Sequence, residues 1–224
     1  MTLRALVAGA TGLVGGLLVD LLQADARYGE VTLLVRRPTG RAGGKIRERV
    51  IDFEALCSRP DTLTEALPEA DVCFCALGTT LRKAGSREAF ARVDRDIVLG
   101  LARAASAAGV TTFALVSALG ADSRSRVFYN RVKGEAEAGV GSVGFSALHV
   151  VRPSLLVGNR AESRPLERMG VLAAPLLRAL MIGPLARSAP IDARKVALAL
   201  RDAPFSGRKG VVFHESSAMD AAYP

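Results

Sequence analysis

The chain has 224 residues, 50% of them apolar, with 30 basic against 22 acidic side chains and a net charge of +8. That is ample material for a core and excludes a disordered or collagen-like chain, and no uncharged apolar run approaches the ~18 residues of a membrane span. The densest basic stretch, Arg36 to Arg49, carries no aromatic residue and the chain has no Trp, so specific nucleic-acid recognition is not expected.

The predicted elements alternate from the N-terminus. Leu3 to Ala8 is a strand, and Leu13 to Gln23 is a helix with apolar residues nearly all round, as a helix laid on a sheet should be. Val31 to Val35 is a second strand and Glu48 to Ile51 a weaker third; Asp71 to Leu77 is a fourth, almost continuously apolar. Ser86 to Ala108 reads as one long helix, with Ser86 as N-cap and Gly109 as its stop. Thr111 to Ser117 is a fifth strand, Phe128 to Ala138 a helix and Phe145 to Val151 a sixth strand. After Arg152-Pro153 the pattern loosens. An apolar helix is expected near Leu172 to Ile182, another helix over Asp192 to Asp202 and a late strand over Gly210 to His214. Continuously apolar strands separated by helices predict an α/β fold, a doubly wound, mostly parallel sheet covered on both faces. One domain is expected over 1–224, with 156–224 forming a small C-terminal cap on the substrate side.

Leu3 to Leu22 is apolar, but its glycine spacing suits a strand, turn and helix better than a secretory leader, so cytoplasm is the default location. Three cysteines make no disulfide framework. Cys73 and Cys75 flank Phe74 on a buried strand and read as core thiols; with Cys57, His149 and His214 scattered, no metal site is expected. His149, in an apolar strand, reads as a core residue.

The chemistry starts at Gly9, Gly12 and Gly15, spaced G-x-x-G-x-x-G between the first strand and the first helix. Such a turn needs residues without Cβ, and the helix after it points its free N–H groups at a pyrophosphate. Gly9, Thr11, Gly12, Leu13, Val14 and Gly15 are therefore the first candidate cofactor contacts. The second strand ends in Arg36 and Arg37 where an NAD site would carry an acid, which favours NADP(H) over NAD(H). Asp52 either meets the adenine amino group or caps the segment after it. Tyr129 and Lys133, at i and i+4, share a helix face. A lysine ammonium favours phenolate, so the tyrosine pKa is expected to fall and the pair to serve as general acid or base. Ser117, at the end of the fifth strand, is placed to orient a substrate oxygen beside the phenol.

Together these elements resemble the short-chain dehydrogenase/reductase superfamily, in the glycine form of its extended and atypical branches, over about residues 3–155. More specifically, Cys73 to Thr80, Lys83 to Ser86, Val93 to Asp96, Gly120 to Asp122, Tyr129 to Glu135, Arg152 to Ser154 and Glu162 to Pro165 are similar to the oxidoreductase group of the HIV Tat-interacting protein. The resemblance implies an NADPH-binding Rossmann domain in which Tyr129 exchanges the proton, Lys133 holds the nicotinamide ribose and tunes the tyrosine, and Ser117 positions a carbonyl. It also implies that Leu77, Gly78 and Thr79 line the cofactor and that Pro153, Ser154 and Leu155 border the nicotinamide. Where other enzymes of the superfamily place a helix asparagine, this chain has Asp94 and Asp96 nearby, and charge repulsion makes either an ill-suited replacement.

The expectation is an NADPH-dependent oxidoreductase acting on a small-molecule carbonyl or alcohol, with no membrane partner. Arg160, Arg164 and Arg168 either meet an anionic ligand or face solvent, and the apolar Val171 to Leu185 stretch either covers the substrate or forms a homodimer contact. The rival is an NADPH-binding regulatory or protein-interaction module with little turnover. Sugar-nucleotide epimerisation is a weaker third option, opposed by Arg36-Arg37 and by the short C-terminal region.

Overall fold

The computed structural model describes residues 2–58, 67–158 and 189–223. The chain runs β1 (Leu3–Ala8), α1 (Leu13–Ala24), β2 (Tyr28–Val35), β3 (Ile46–Val50), α2 (Ala55–Ser58), β4 (Val72–Cys75), α3 (Leu81–Ala84) and α4 (Arg87–Ala91). A π-helical segment (Arg92–Asp96) leads into α5 (Ile97–Ala107), followed by β5 (Thr112–Val116), α6 (Phe128–Gly141), β6 (Ala147–Arg152) and β7 (Leu156–Val157). Beyond residue 188 come β8 (Ile191–Asp192), α7 (Ala193–Asp202), a 3₁₀ turn (Ala203–Phe205), β9 (Gly210–Glu215) and α8 (Ser216–Ala222).

Seven strands form one sheet in the order β3-β2-β1-β4-β5-β6-β9, and each pairing is parallel. This is the doubly wound Rossmann architecture. The strand side chains show why both faces are covered. Along β1, Ala5 and Val7 enter one core while Leu6 and Ala8 enter the other; along β4, Val72 and Phe74 oppose Cys73 and Cys75 in the same way. A strand apolar on both faces is stable only between two helical layers, each buried Val, Leu or Phe contributing about 1.5–3 kcal/mol over exposure. The layers are α1 and α7 on the first face, α2 and α5 on the second. β7 and β8 pair in parallel as a separate two-stranded sheet.

The expected elements occur with shifted ends. β2 begins at Tyr28, earlier than the apolar run, because Tyr28 pairs with Leu3 and its hydroxyl donates to the Arg201 carbonyl at 2.5 Å. β4 is shorter than expected, Val72–Cys75, since the chain turns off the sheet at Ala76. The helix expected unbroken over Ser86 to Ala108 starts as predicted, Ser86 accepting from the Ala89 N–H at 3.0 Å, but is interrupted by the π segment. The expected helix over 172–182 lies outside the described residues. In the described part of 156–224, β9 extends the main sheet beside β6 and α7 packs in the same core as α1.

Parallel pairing brings the carboxyl ends of β1 to β6 to one edge. The chain leaves β3 at one side and re-enters at β4 beside β1, so the connections diverge between β1 and β4, where such sheets open a crevice.

Candidate functional site

The glycine turn sits at that crevice. Gly9 has φ +86°, and a Cβ there would stand 2.4 Å from the Ala76 carbonyl oxygen, so the turn lies flush against the end of β4. A Cβ on Gly15 would meet the Gly9 oxygen at 2.1 Å, and the Gly12 N–H donates to that same oxygen at 2.9 Å. Gly12 is the N-cap of α1, with no side-chain hydrogen bond and no acid in the first turn. Beyond the Gly12 N–H, the open N–H groups of a first helical turn and the positive helix end are what an anionic group needs. Val14 is buried and points into the core, so it can offer only its backbone N–H; Thr11 is exposed.

Arg36 and Arg37 follow β2 at the neighbouring strand end, both exposed and neither in an ion pair among the described residues. Arg41 is committed: its guanidinium contacts the Asp20 carboxylate. Of the two readings of Asp52, the structure shows the cap, its carboxylate accepting from the Glu54 N–H at 2.9 Å.

The proposed acid–base group lies on the other side of the crevice. Ser117 follows β5; its N–H donates to the Val151 carbonyl at 2.8 Å. Its side-chain oxygen is buried and has no hydrogen-bond partner among the described residues. Tyr129 and Lys133 occupy the first two turns of α6. The Tyr129 ring packs on Phe90 with centroids 5.6 Å apart, and Lys133 is 6% exposed. Lys133 is not an isolated cation. Its Nζ lies 2.7 Å from Asp94 Oδ1, while Asp94 Oδ2 accepts from the Thr79 N–H at 2.8 Å. A Cβ on Gly78 would stand 3.4 Å from Asp94 Oδ1 and 3.7 Å from Lys133 Nζ. Gly78, Thr79, Asp94 and Lys133 thus converge, with Leu77 leading into them from β4.

Two expectations need correction. Asp94 is compensated by Lys133 rather than repelled. The Tyr129 pKa is raised, not lowered: partial desolvation of a side chain still 36% exposed raises it, Lys133 lowers it and Asp94 raises it. Burial pushes the Lys133 ammonium down, but Asp94 and Tyr129 outweigh it and leave the pKa raised. Asp94 is the residue that sequence reasoning set aside. Its signal is an acid at position 94 among the buried residues Phe90, Ile97 and Leu101 on one helix face.

Pro153 is buried and its carbonyl accepts from the Leu119 N–H at 2.8 Å, which ties the segment after β6 to the one after β5. Ser154 is less free than expected: its hydroxyl donates to the Ala189 carbonyl and accepts from Ser216 at 2.9 Å. Leu155 is 72% exposed. Arg160, Arg164, Arg168 and the apolar stretch over 171–185 lie outside the described residues. His149 is a core residue as expected, with its Nδ1 3.0 Å from His214 Nε2. Cys73 and Cys75 are fully buried, and burial pushes both thiols up. A groove of about 490 Å³ lies between α4, the π segment and α6; of the arginines in it, Arg92 pairs with Glu54 and Arg95 with Asp96 and Glu135. No helix among the described residues is long and apolar enough to cross a membrane.

Comparison with known proteins agrees with this geometry. A family model described as NAD(P)H-binding matches residues 9–141. Protein HTATIP2 of Rattus norvegicus is 42% identical over 71% of this chain, and the match spans 65% of that protein's length. The mitochondrial protein FMP52-1 of Scheffersomyces stipitis is 33% identical over 99% of both chains. Among solved structures, MoeE5 in complex with UDP-glucose and NAD aligns with a TM-score of 0.68 at 19% identity, covering 95% of this chain and 76% of MoeE5; at that identity it speaks for the fold alone. The expected cytoplasmic location is overturned. Proteins of the FMP52 name are described as mitochondrial in each comparison, whereas cytoplasm rested only on a default.

Proposed function

The chain belongs to the NAD(P)H-binding family, and on that premise we propose that it is an NADPH-dependent oxidoreductase of the short-chain dehydrogenase/reductase type, acting on a carbonyl or alcohol. The observation that carries the proposal is the buried Ser117 hydroxyl, without a partner among the described residues, at the same sheet edge as Tyr129, Lys133 and the glycine turn. An unpartnered buried hydroxyl costs about 1–3 kcal/mol, which a ligand oxygen would recover.

A nicotinamide dinucleotide, when bound, supplies or accepts the hydride. The chain's residues do the rest. Gly9, Thr11, Gly12, Leu13, Val14 and Gly15 would hold the pyrophosphate on backbone N–H groups, and Arg36 and Arg37 a 2′-phosphate, the basis for preferring NADP(H). Asp52 would serve this end through the loop it caps. Leu77, Gly78 and Thr79 would lie along the dinucleotide, and Pro153, Ser154 and Leu155 would border its nicotinamide end. Ser117 would orient the substrate oxygen, Tyr129 exchange its proton, and Lys133 hold the ribose. Residues 156–224 would belong to the same folding unit and shield the substrate side.

Tyr129→Phe tests the roles. Turnover of a carbonyl panel with NADPH is expected to fall by about 10²–10⁴-fold with NADPH affinity nearly unchanged; undiminished turnover would remove Tyr129 from the chemistry. A second reading is an NADPH-binding regulatory module with little turnover, which would keep the glycine turn and Arg36-Arg37 without using Tyr129. Tight NADPH binding with no oxidation against any carbonyl would select it.

A further inference from the structure

We infer that Asp94 is a positioning residue that holds Lys133 in a net-neutral pair and so keeps Tyr129 protonated, the form that gives up a proton in carbonyl reduction. The inference rests on the proposed chemistry of Tyr129 and Lys133.

The geometry is specific. Asp94 lies inside the five-residue π segment between α4 and α5. An extra residue in a helical turn re-aims its side chain, and such insertions recur at functional sites. One Asp94 oxygen accepts from the Thr79 N–H at 2.8 Å, fixing the carboxylate to the strand-end loop. The other is 2.7 Å from Lys133 Nζ, with the two side chains 1% and 8% exposed. A buried pair of this kind is costly to break from one side. Gly78 lies against the pair: a Cβ there would be in van der Waals contact with both Asp94 Oδ1 and Lys133 Nζ.

The electrostatic consequence follows from the neighbours. The charged groups facing the phenol are Lys133 on its own helix and Asp94 from the π segment; Cys75 on β4 adds only to the surroundings of Lys133. A lone ammonium would favour phenolate, a general base suited to alcohol oxidation. With the carboxylate beside it that pull is offset, and the phenol keeps its proton. In the reducing direction the carbonyl carbon takes a hydride from the reduced nicotinamide and the oxygen takes the Tyr129 proton. The carbonyl is reduced to an alcohol, the coenzyme is oxidised, and the phenolate left behind is reprotonated from water.

The test reads tyrosine ionisation by ultraviolet absorbance in the cofactor-free protein, with Tyr129→Phe subtracted to isolate Tyr129 from Tyr28 and Tyr223. In Asp94→Asn, whose amide oxygen can still accept from Thr79, the Tyr129 midpoint is expected to fall by about one pH unit or more. An unchanged or higher midpoint overturns the inference. Should that variant fail to fold, Asp94→Asn with Lys133→Met removes both charges together. Its midpoint is expected to match the wild type, and one lower by about one pH unit also overturns the inference. No turnover enters this readout, so it can fail while the Tyr129→Phe experiment succeeds, and the reverse.

Discussion

Ser117 keeps a buried hydroxyl with no hydrogen-bond partner among the described residues. Native proteins satisfy nearly all such groups, so one left open at a strand's carboxyl end points to a ligand rather than to the fold. Ser117→Ala is therefore expected to leave stability within about 1 kcal/mol of the wild type, or to raise it, because no hydrogen bond is lost. Turnover should fall by about 10²-fold, since the substrate oxygen loses its orienting donor. Thermal melts and steady-state rates on one preparation check both. Reduced stability with normal turnover would return the hydroxyl to a structural role. Tyr129 and Lys133 were readable from their i, i+4 spacing. Their electrostatics were not, because the compensating carboxylate enters from a separate element.

At the scale of elements, β6 and β9 meet through His149 and His214, 3.0 Å apart. Burial, then His214 and Arg208, hold the His149 pKa down to about 4 from 6.5, and burial and Arg208 also lower His214. A folded-state pKa below the unfolded one means stability present above about pH 6.5 and lost as pH falls through about 4. These are the two histidines of the chain, so it is the part of that loss removed by the His149 substitution, not the part shared with depressed carboxylates such as Asp25 and Glu48, that reports on this pair. The thermal midpoint is expected to drop from pH 6.5 to about 4 and to do so less steeply in His149→Leu, where His214 on the edge strand turns to water; equal slopes would contradict it. The helices and strands around this pair were legible because apolar periodicity survives in them. The π segment was not: the buried positions Phe90, Asp94, Ile97 and Leu101 keep a spacing close to an uninterrupted helix, and only the acid among them departs from the pattern. Strand ends were blurred for a related reason, as pairing partners such as Leu3 for Tyr28 extend a strand beyond its apolar run.

At the scale of the whole molecule, the parallel sheet gathers residues distant in sequence onto one edge. That gathering was legible from the alternation of apolar strands with helices, and with it the crevice between β1 and β4. Which cations remain available there is a tertiary fact. Arg41 is held by Asp20, while Arg36 and Arg37 make no ion pair among the described residues. Every role proposed for these residues needs a nicotinamide dinucleotide in the crevice, phosphates on the glycine turn. Calorimetric titration of the purified chain and of its Arg36→Ala/Arg37→Ala variant with NADPH and NADH tests this most directly. The expected result is NADPH binding that weakens by about tenfold or more in the variant, a change of about 1.4 kcal/mol, with NADH binding little altered. Failure of the wild-type chain to bind either dinucleotide would contradict the account.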